Sequence, residues 1–198
     1  MTSSRFSLAI LGSTRGTTML YLLNAISANT LKAKINVVIS DKENAYILQR
    51  AKANKIPAHF VSPKGLSRCD YDTKITALLQ QQSIDLIVLI GYMRILSTEF
   101  VRQWHHKIIN IHPSLLPRHA GLMDKAVHQA VLDSQDKKTG CSVHYVTETV
   151  DGGPIIMQKC CQVADHDTVD SLKAKVAWLE GKAYIESINH FAKNRKIT

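Results

Sequence analysis

Asn110-Ile111-His112-Pro113 sets a carboxamide and an imidazole two residues apart, at the end of an apolar run. About forty residues later, Val150-Asp151-Gly152-Gly153-Pro154 supplies a carboxylate on a glycine-rich turn. An amide can stabilise an oxyanion, an imidazole can hold or move a proton, and a carboxylate can favour the charged imidazole. Together these are the parts of an acyl-transfer site. Side chains alternate along an extended segment, so residues 110 and 112 project from one side and can face one reacting centre. Pro113 and Pro117 stiffen the loop that follows. No G-x-S-x-G elbow is present, so direct attack by a substrate amine, without an acyl-enzyme, is the expected route. Metal binding is the competing use of His112, with His105, His106, His119 and His144 as candidate partners. None of the metal-hydrolase motifs occurs, so no metal is expected.

The elements that must position these groups show in the hydrophobic pattern. Short apolar runs at Phe6–Leu11, Ile35–Ile39, Pro57–Val61, Ile84–Ile90 and Lys107–Ile111 read as strands. Between them, Thr17–Ala28, a segment from Asp41 to about Ala53, and Tyr71–Gln82 read as helices, as does Ala126–Leu132 further on. That alternation implies an α/β fold with a doubly wound, Rossmann-like and mostly parallel sheet. After Gly140 the rhythm changes. Cys141–Thr147 and Ile155–Val163 flank the Asp-Gly-Gly-Pro turn and imply an antiparallel addition to one edge. Val169 to about Phe191 reads as one long closing helix, with Thr168 or Ser171 as its cap. No repeat or linker interrupts the chain, so a single domain over residues 1–198 is expected.

Gly12-Ser13-Thr14-Arg15-Gly16-Thr17-Thr18 follows the first strand and opens the first helix. It is neither GxGxxG nor a P-loop. Two readings stay open here: a phosphate cradle of backbone N–H groups and hydroxyls, or an ordinary capped helix start. The 25 Lys and Arg against 16 Asp and Glu give a net charge of +9, which suits anionic ligands. The basic residues are scattered and only 6% of the chain is aromatic, so a nucleic-acid footprint is not expected. Four cysteines without CxxC spacing suggest neither zinc nor a disulfide framework. Neighbouring Cys160 and Cys161 should point to opposite faces of a strand, which suits reduced thiols. No apolar run reaches the roughly 18 residues of a membrane span and no secretory leader is visible, so a cytoplasmic protein is the expectation.

Three segments carry a family resemblance: Gly91-Tyr92-Met93-Arg94-Ile95-Leu96, Asn110 to Pro117, and Gly140 to Pro154. On these the chain resembles the formyltetrahydrofolate-dependent formyltransferases, and among them the phosphoribosylglycinamide formyltransferases of purine synthesis, from Ile10 to about Tyr184. The resemblance implies transfer of a formyl group from 10-formyltetrahydrofolate to the amine of glycinamide ribonucleotide. It implies Asn110, His112 and Asp151 as the catalytic trio. Met93, Arg94, Ile95 and Leu96, with Thr147, Glu148, Thr149, Val150 and Asp151, would border the folate pterin, and Arg68 would approach the folate tail. Gly16, Thr17 and Thr18 would hold the ribose phosphate, with Glu180 near the other end of the glycinamide substrate. Small-molecule partners and a monomer or homodimer follow. Methionyl-tRNA and sugar-nucleotide formyltransferases and formyltetrahydrofolate hydrolases are expected to be larger than a chain ending at Thr198. Two positions depart from the family pattern: Thr18, where relatives carry Asn, and Leu122–Asp133, where His128 sits on the expected helix rather than directly after Gly-Leu. Either departure would act on the acceptor amine rather than on the chemistry.

Overall fold

The computed structural model describes residues 5–195. Residues 1–4 and 196–198, the ends of the expected single domain, lie outside them. In chain order the elements are β1 (Phe6–Leu11), α1 (Thr17–Ser27), β2 (Ala33–Ser40), α2 (Tyr46–Ala53), β3 (Ala58–Phe60), α3 (Arg68–Gln80) and β4 (Leu86–Leu89). There follow α4 (Thr98–Gln103), β5 (Ile108–His112), α5 (Lys125–Asp133), β6 (Lys138–Tyr145), β7 (Ile155–Gln162) and α6 (Val169–Lys193). The strands form one sheet in the order β3-β2-β1-β4-β5-β6-β7. Its first five strands are parallel, and β6 and β7 extend it antiparallel. The doubly wound sheet, its antiparallel C-terminal edge and the long closing helix are thus as the periodicity implies.

Strand alternation divides the core. Leu8 and Ile10 of β1 pack with Met19, Leu22, Val176 and Tyr184 under α1 and α6. Their neighbours Ala9 and Leu11 pack with Tyr71, Ile75, Leu79 and Phe100 under α3 and α4. Every residue of β1 is therefore buried, the signature of a central parallel strand. Burying each such leucine contributes about 1.5–3 kcal/mol, and this rigid centre holds the loops at its C-terminal edge. There β1 runs beside β2 on one side and β4 on the other. The chain reverses its winding at that point, which is where open α/β sheets bind ligands.

The differences from the sequence reading are local. The second helix starts at Tyr46 rather than after Asp41, because a turn closes first: Ala45 N–H donates to the Lys42 carbonyl and Lys42 N–H to Ser40 Oγ. Six-residue α4 was not foreseen. It is too short for a visible stripe and is held by its cap, where Ser97 Oγ accepts from Phe100 N–H. β6 begins at Lys138, before Gly140, where a side chain would strike the Lys159 carbonyl of β7. At α6 the two candidate caps work together in a reciprocal capping box, Thr168 with Ser171. Cys160 is exposed while Cys161 is half-buried against the α6 side of the core.

Candidate active site

A cleft of about 940 Å³ opens at the C-terminal edge of the sheet, at the upper end of the size usual for small-molecule sites. Its floor is built by the loops after β1, β4 and β5, and its walls by α6 and the turn between β6 and β7. The first two loops are tied together: Met93 N–H donates to Ser13 Oγ at 2.8 Å and Ser13 N–H to the Gly91 carbonyl at 3.1 Å.

The glycine turn supplies the anion end. Gly16 is the N-cap of α1 with φ +65°, and a Cβ there would lie 2.4 Å from Ile47, so both backbone and packing require glycine. No side chain caps α1 and no acidic residue stands in its first turn. The helix thus keeps its N-terminal N–H groups and positive dipole end for a ligand. Gly16, Thr17 and Thr18 all line the cleft, with Arg15 beside them. Thr18 Oγ1 donates to Glu180 Oε2 at 3.2 Å, joining α1 to α6. Burial pushes the Glu180 carboxyl up to about 7, against the pull of the Thr18 bond and the His112 charge.

At the centre, Asn110 and His112 project from one side of β5, while Ile109 and Ile111 pack into the core on the other. The His112 ring is almost wholly buried and its Nδ1 lies 3.1 Å from Asp151 Oδ2. Its Nε2 lies 3.0 Å from the His119 carbonyl. Both neighbours are acceptors, so a ring carrying hydrogen on both nitrogens satisfies both. Asp151 sits in the β6–β7 turn with φ +53°, a conformation that aspartate tolerates better than most residues. Burial alone would raise its carboxyl. His112 and the Gly121 N–H at 2.9 Å outweigh that and hold it well below the usual carboxylate range. The loop after His112 is pinned to the sheet, since Ser142 Oγ donates to the Ser114 carbonyl and accepts from Leu116 N–H.

The far end is apolar. Met93, Ile95 and Val150 are about half exposed yet line the cleft, an exposed apolar patch of the kind that marks a binding surface. Arg94 stacks over the Tyr71 ring at 4.2 Å, and Asp72 accepts from Ser97 N–H, so α3 supports this loop from beneath. Leu96 is buried at its base. Thr147, Glu148 and Thr149 complete the opposing wall, with Glu148 paired to Arg102 at 2.9 Å.

The structure therefore gathers every sequence-derived site residue into one cleft except Arg68. Arg68 opens α3 on an exposed surface outside the cleft lining. Sequence reasoning weighed His144 only as a metal partner. It lies opposite Asn110 in the β5–β6 register, and the alternation of Ser142 and His144 along an antiparallel neighbour of β5 was the available signal. Lys173, Asp124 and Asp170 were not foreseen in the cleft wall, and nothing in their local sequence marks them. His128 lies in that wall as well, buried, and burial with the Lys173 charge pushes its imidazole down. Among the described residues no group of three His, Cys, Asp or Glu is placed to hold a metal ion. No helix among them is long and apolar enough to cross a membrane.

The family model described as formyl transferase matches residues 6–188. A phosphoribosylglycinamide formyltransferase of Haemophilus influenzae is 38% identical over 189 residues, covering 95% of this chain and 88% of its own length. The trifunctional purine biosynthetic protein adenosine-3 of Gallus gallus is 38% identical over 92% of this chain, which spans only 18% of that longer protein. The structure of a phosphoribosylglycinamide formyltransferase from Coxiella burnetii superposes with a TM-score of 0.91 at 36% identity, covering 97% of this chain and 89% of that one.

Proposed function

Since the chain belongs to the formyl transferase family of enzymes, we propose that it moves the formyl group of 10-formyltetrahydrofolate onto the amine of glycinamide ribonucleotide, a step of purine synthesis. The observation that carries this reading is the His112–Asp151 pair, 3.1 Å apart and beside Asn110, midway between a bare helix N-terminus and an apolar wall. That layout suits a phosphorylated amine at one end and a flat heteroaromatic donor at the other.

The ribose phosphate lies on the N–H groups of Gly16, Thr17 and Thr18, where the dipole of α1 favours an anion by about 0.3–1 kcal/mol or more. Glu180 meets the opposite, amine-bearing part of the acceptor. The pterin lies against Met93 to Leu96 and Thr147 to Asp151. Arg68 is assigned the glutamate tail, which must then reach beyond the cleft to α3.

The amine nitrogen attacks the formyl carbon and negative charge builds on the formyl oxygen. That oxygen takes over the His112 Nε2–H, which here meets the His119 carbonyl, and accepts a second bond from the Asn110 amide. Loss of one such donor typically costs about 3 kcal/mol, or roughly a hundredfold in rate. Asp151, ionised, holds the imidazole charged and correctly turned. The amine then loses a proton as the bond from formyl carbon to N10 breaks, and N10 gains one, so formylated acceptor and tetrahydrofolate leave. In this proposal Asp151 and His112 carry that proton, directly or through water.

The test is a formyl-transfer assay with 10-formyltetrahydrofolate and glycinamide ribonucleotide, beside free-amine controls. The wild-type chain should form tetrahydrofolate with glycinamide ribonucleotide, and His112→Ala should lose roughly a hundredfold in kcat. Transfer to another amine but not to glycinamide ribonucleotide would overturn the acceptor; full activity in His112→Ala would overturn the mechanism.

A further inference from the structure

His144 is a buried group of this cleft to which the formyl-transfer step gives no role. It faces Asn110 across the antiparallel β5–β6 pair, and its side chain is 3% exposed. Its Nδ1 lies 2.9 Å from the Tyr145 carbonyl. A carbonyl only accepts, so Nδ1 carries the hydrogen. In the neutral ring Nε2 then presents a lone pair. The donor within reach of it is the amide nitrogen of Asn110, at 3.4 Å, whereas Asp151 Oδ1 stands at 3.6 Å, outside hydrogen-bond range.

The alternative gives Nε2 a hydrogen directed at Asp151. That would set a second imidazolium against a carboxylate already serving His112 Nδ1 and the Gly121 N–H, beside the charged His112, where like charges repel. It would also turn the carboxamide of Asn110 so that its oxygen, not its nitrogen, meets the ring. The neutral ring satisfies Tyr145 and Asn110 together.

Building on the formyl-transfer reading, we infer that His144 is a positioning residue: its Nε2 accepts one N–H of Asn110 and so fixes which end of the carboxamide meets the formyl oxygen. The amide nitrogen has two hydrogens. With one engaged by His144, the other is held in the cleft as the oxyanion donor. A carboxamide freed to rotate presents its oxygen part of the time, and that oxygen repels the developing charge.

A double-mutant cycle on the full chain tests this, because residues that act as a unit are non-additive. His144→Leu, which offers no acceptor, should lower kcat roughly 10–100-fold while moving either KM by less than about threefold, the signature of lost transition-state contact. His144→Gln places an acceptor near the Nε2 position and should recover most of the rate. His144→Asn reaches only as far as Nδ1 and should be as slow as the leucine variant. In an Asn110→Ala background His144→Leu should cost less than about twofold. The inference falls if the two losses multiply, or if His144→Leu turns over like wild type. Should the leucine variant not fold, the contrast between Gln and Asn decides, and equal rates for that pair overturn the assignment. Nitrogen-15 spectra of labelled histidine should show His144 protonated at Nδ1 alone. Full activity in Asn110→Ala by itself would instead refute the oxyanion reading on which the inference rests.

Discussion

Glu180 offers a perturbation whose stability and activity consequences have opposite signs. Its carboxyl is pushed from about 4.5 to about 7 by burial between α1 and α6, with the Thr18 hydroxyl bonded to it at 3.2 Å. At about 1.4 kcal/mol for each tenfold change, that displacement amounts to roughly 3 kcal/mol against the ionised form, an upper figure because water still reaches part of the side chain. The folded protein binds this proton more tightly than the unfolded chain does. The penalty is therefore absent below about pH 4, grows between 4.5 and 7, and is complete above 7. Glu180→Gln removes the charge and keeps an oxygen for Thr18. Urea unfolding should find the variant more stable than wild type by roughly 1–3 kcal/mol at pH 8, with the gain shrinking toward zero near pH 4. In the same protein KM for glycinamide ribonucleotide should rise about tenfold or more while KM for the folate stays within twofold, if Glu180 serves the acceptor end as proposed. This is the exchange of stability for function expected where a buried carboxylate is proposed to bind substrate. A difference in stability that is flat with pH would refute the burial argument, and an unchanged acceptor KM would refute the assignment of Glu180.

Asp151→Asn should depress kcat by roughly a hundredfold or more with little change in either KM, since the contact matters most when charge has developed; a wild-type rate would remove Asp151 from the mechanism. Because its carboxyl is held below the usual range, the wild-type protein should lose this stabilisation only as pH falls below about 4, and Asp151→Asn should flatten that part of an acid-unfolding curve. Thr18→Val takes away the bond that lowers Glu180 and should move the Glu180-linked limb of acceptor binding to higher pH, read from KM against pH; a limb that stays in place would show the bond to be idle. Gly153→Ala would put a Cβ 1.8 Å from the Tyr145 carbonyl and should lower stability by about 2–4 kcal/mol through the β6–β7 turn, and an unchanged melting temperature would contradict that packing.

How far the site was legible depended on the range of the interactions involved. Strands as apolar as β1 and β4 announce themselves, and their parallel pairing follows from alternation with helices, whereas their order in the sheet came from the structure. Two-residue periodicity alone puts Asn110 and His112 on one side of β5. Helix α4 escaped because it has one turn and a half, where capping rather than a stripe of apolar residues specifies the helix. The turn at Asp41–Ala45 escaped because Ser40 takes up a backbone N–H that a helix would otherwise use, a local competition that no composition window resolves. His144 was in view as a histidine but not as a neighbour of Asn110, because its meaning comes from cross-strand register. Arg68 shows the reverse limit, since a residue carried over by resemblance alone stands outside the cleft lining.

The sequence by itself determined the reaction chemistry on offer, because amide, imidazole and carboxylate are properties of residue type and their presentation on β5 and on a glycine turn is local. It left open whether α1 would start capped or bare, and the structure shows no side-chain cap at Gly16. Only the tertiary structure decided what those groups are worth. The 3.1 Å approach of Asp151 to His112 needs β6 and β7 folded back antiparallel beside β5. The raised Glu180 carboxyl needs α6 packed on α1. The hydrogen on His144 Nδ1 needs the Tyr145 carbonyl turned toward its ring. Charge state and hydrogen-bond direction depend on burial and on partners distant in the chain, and those exist only once the sheet has closed around them.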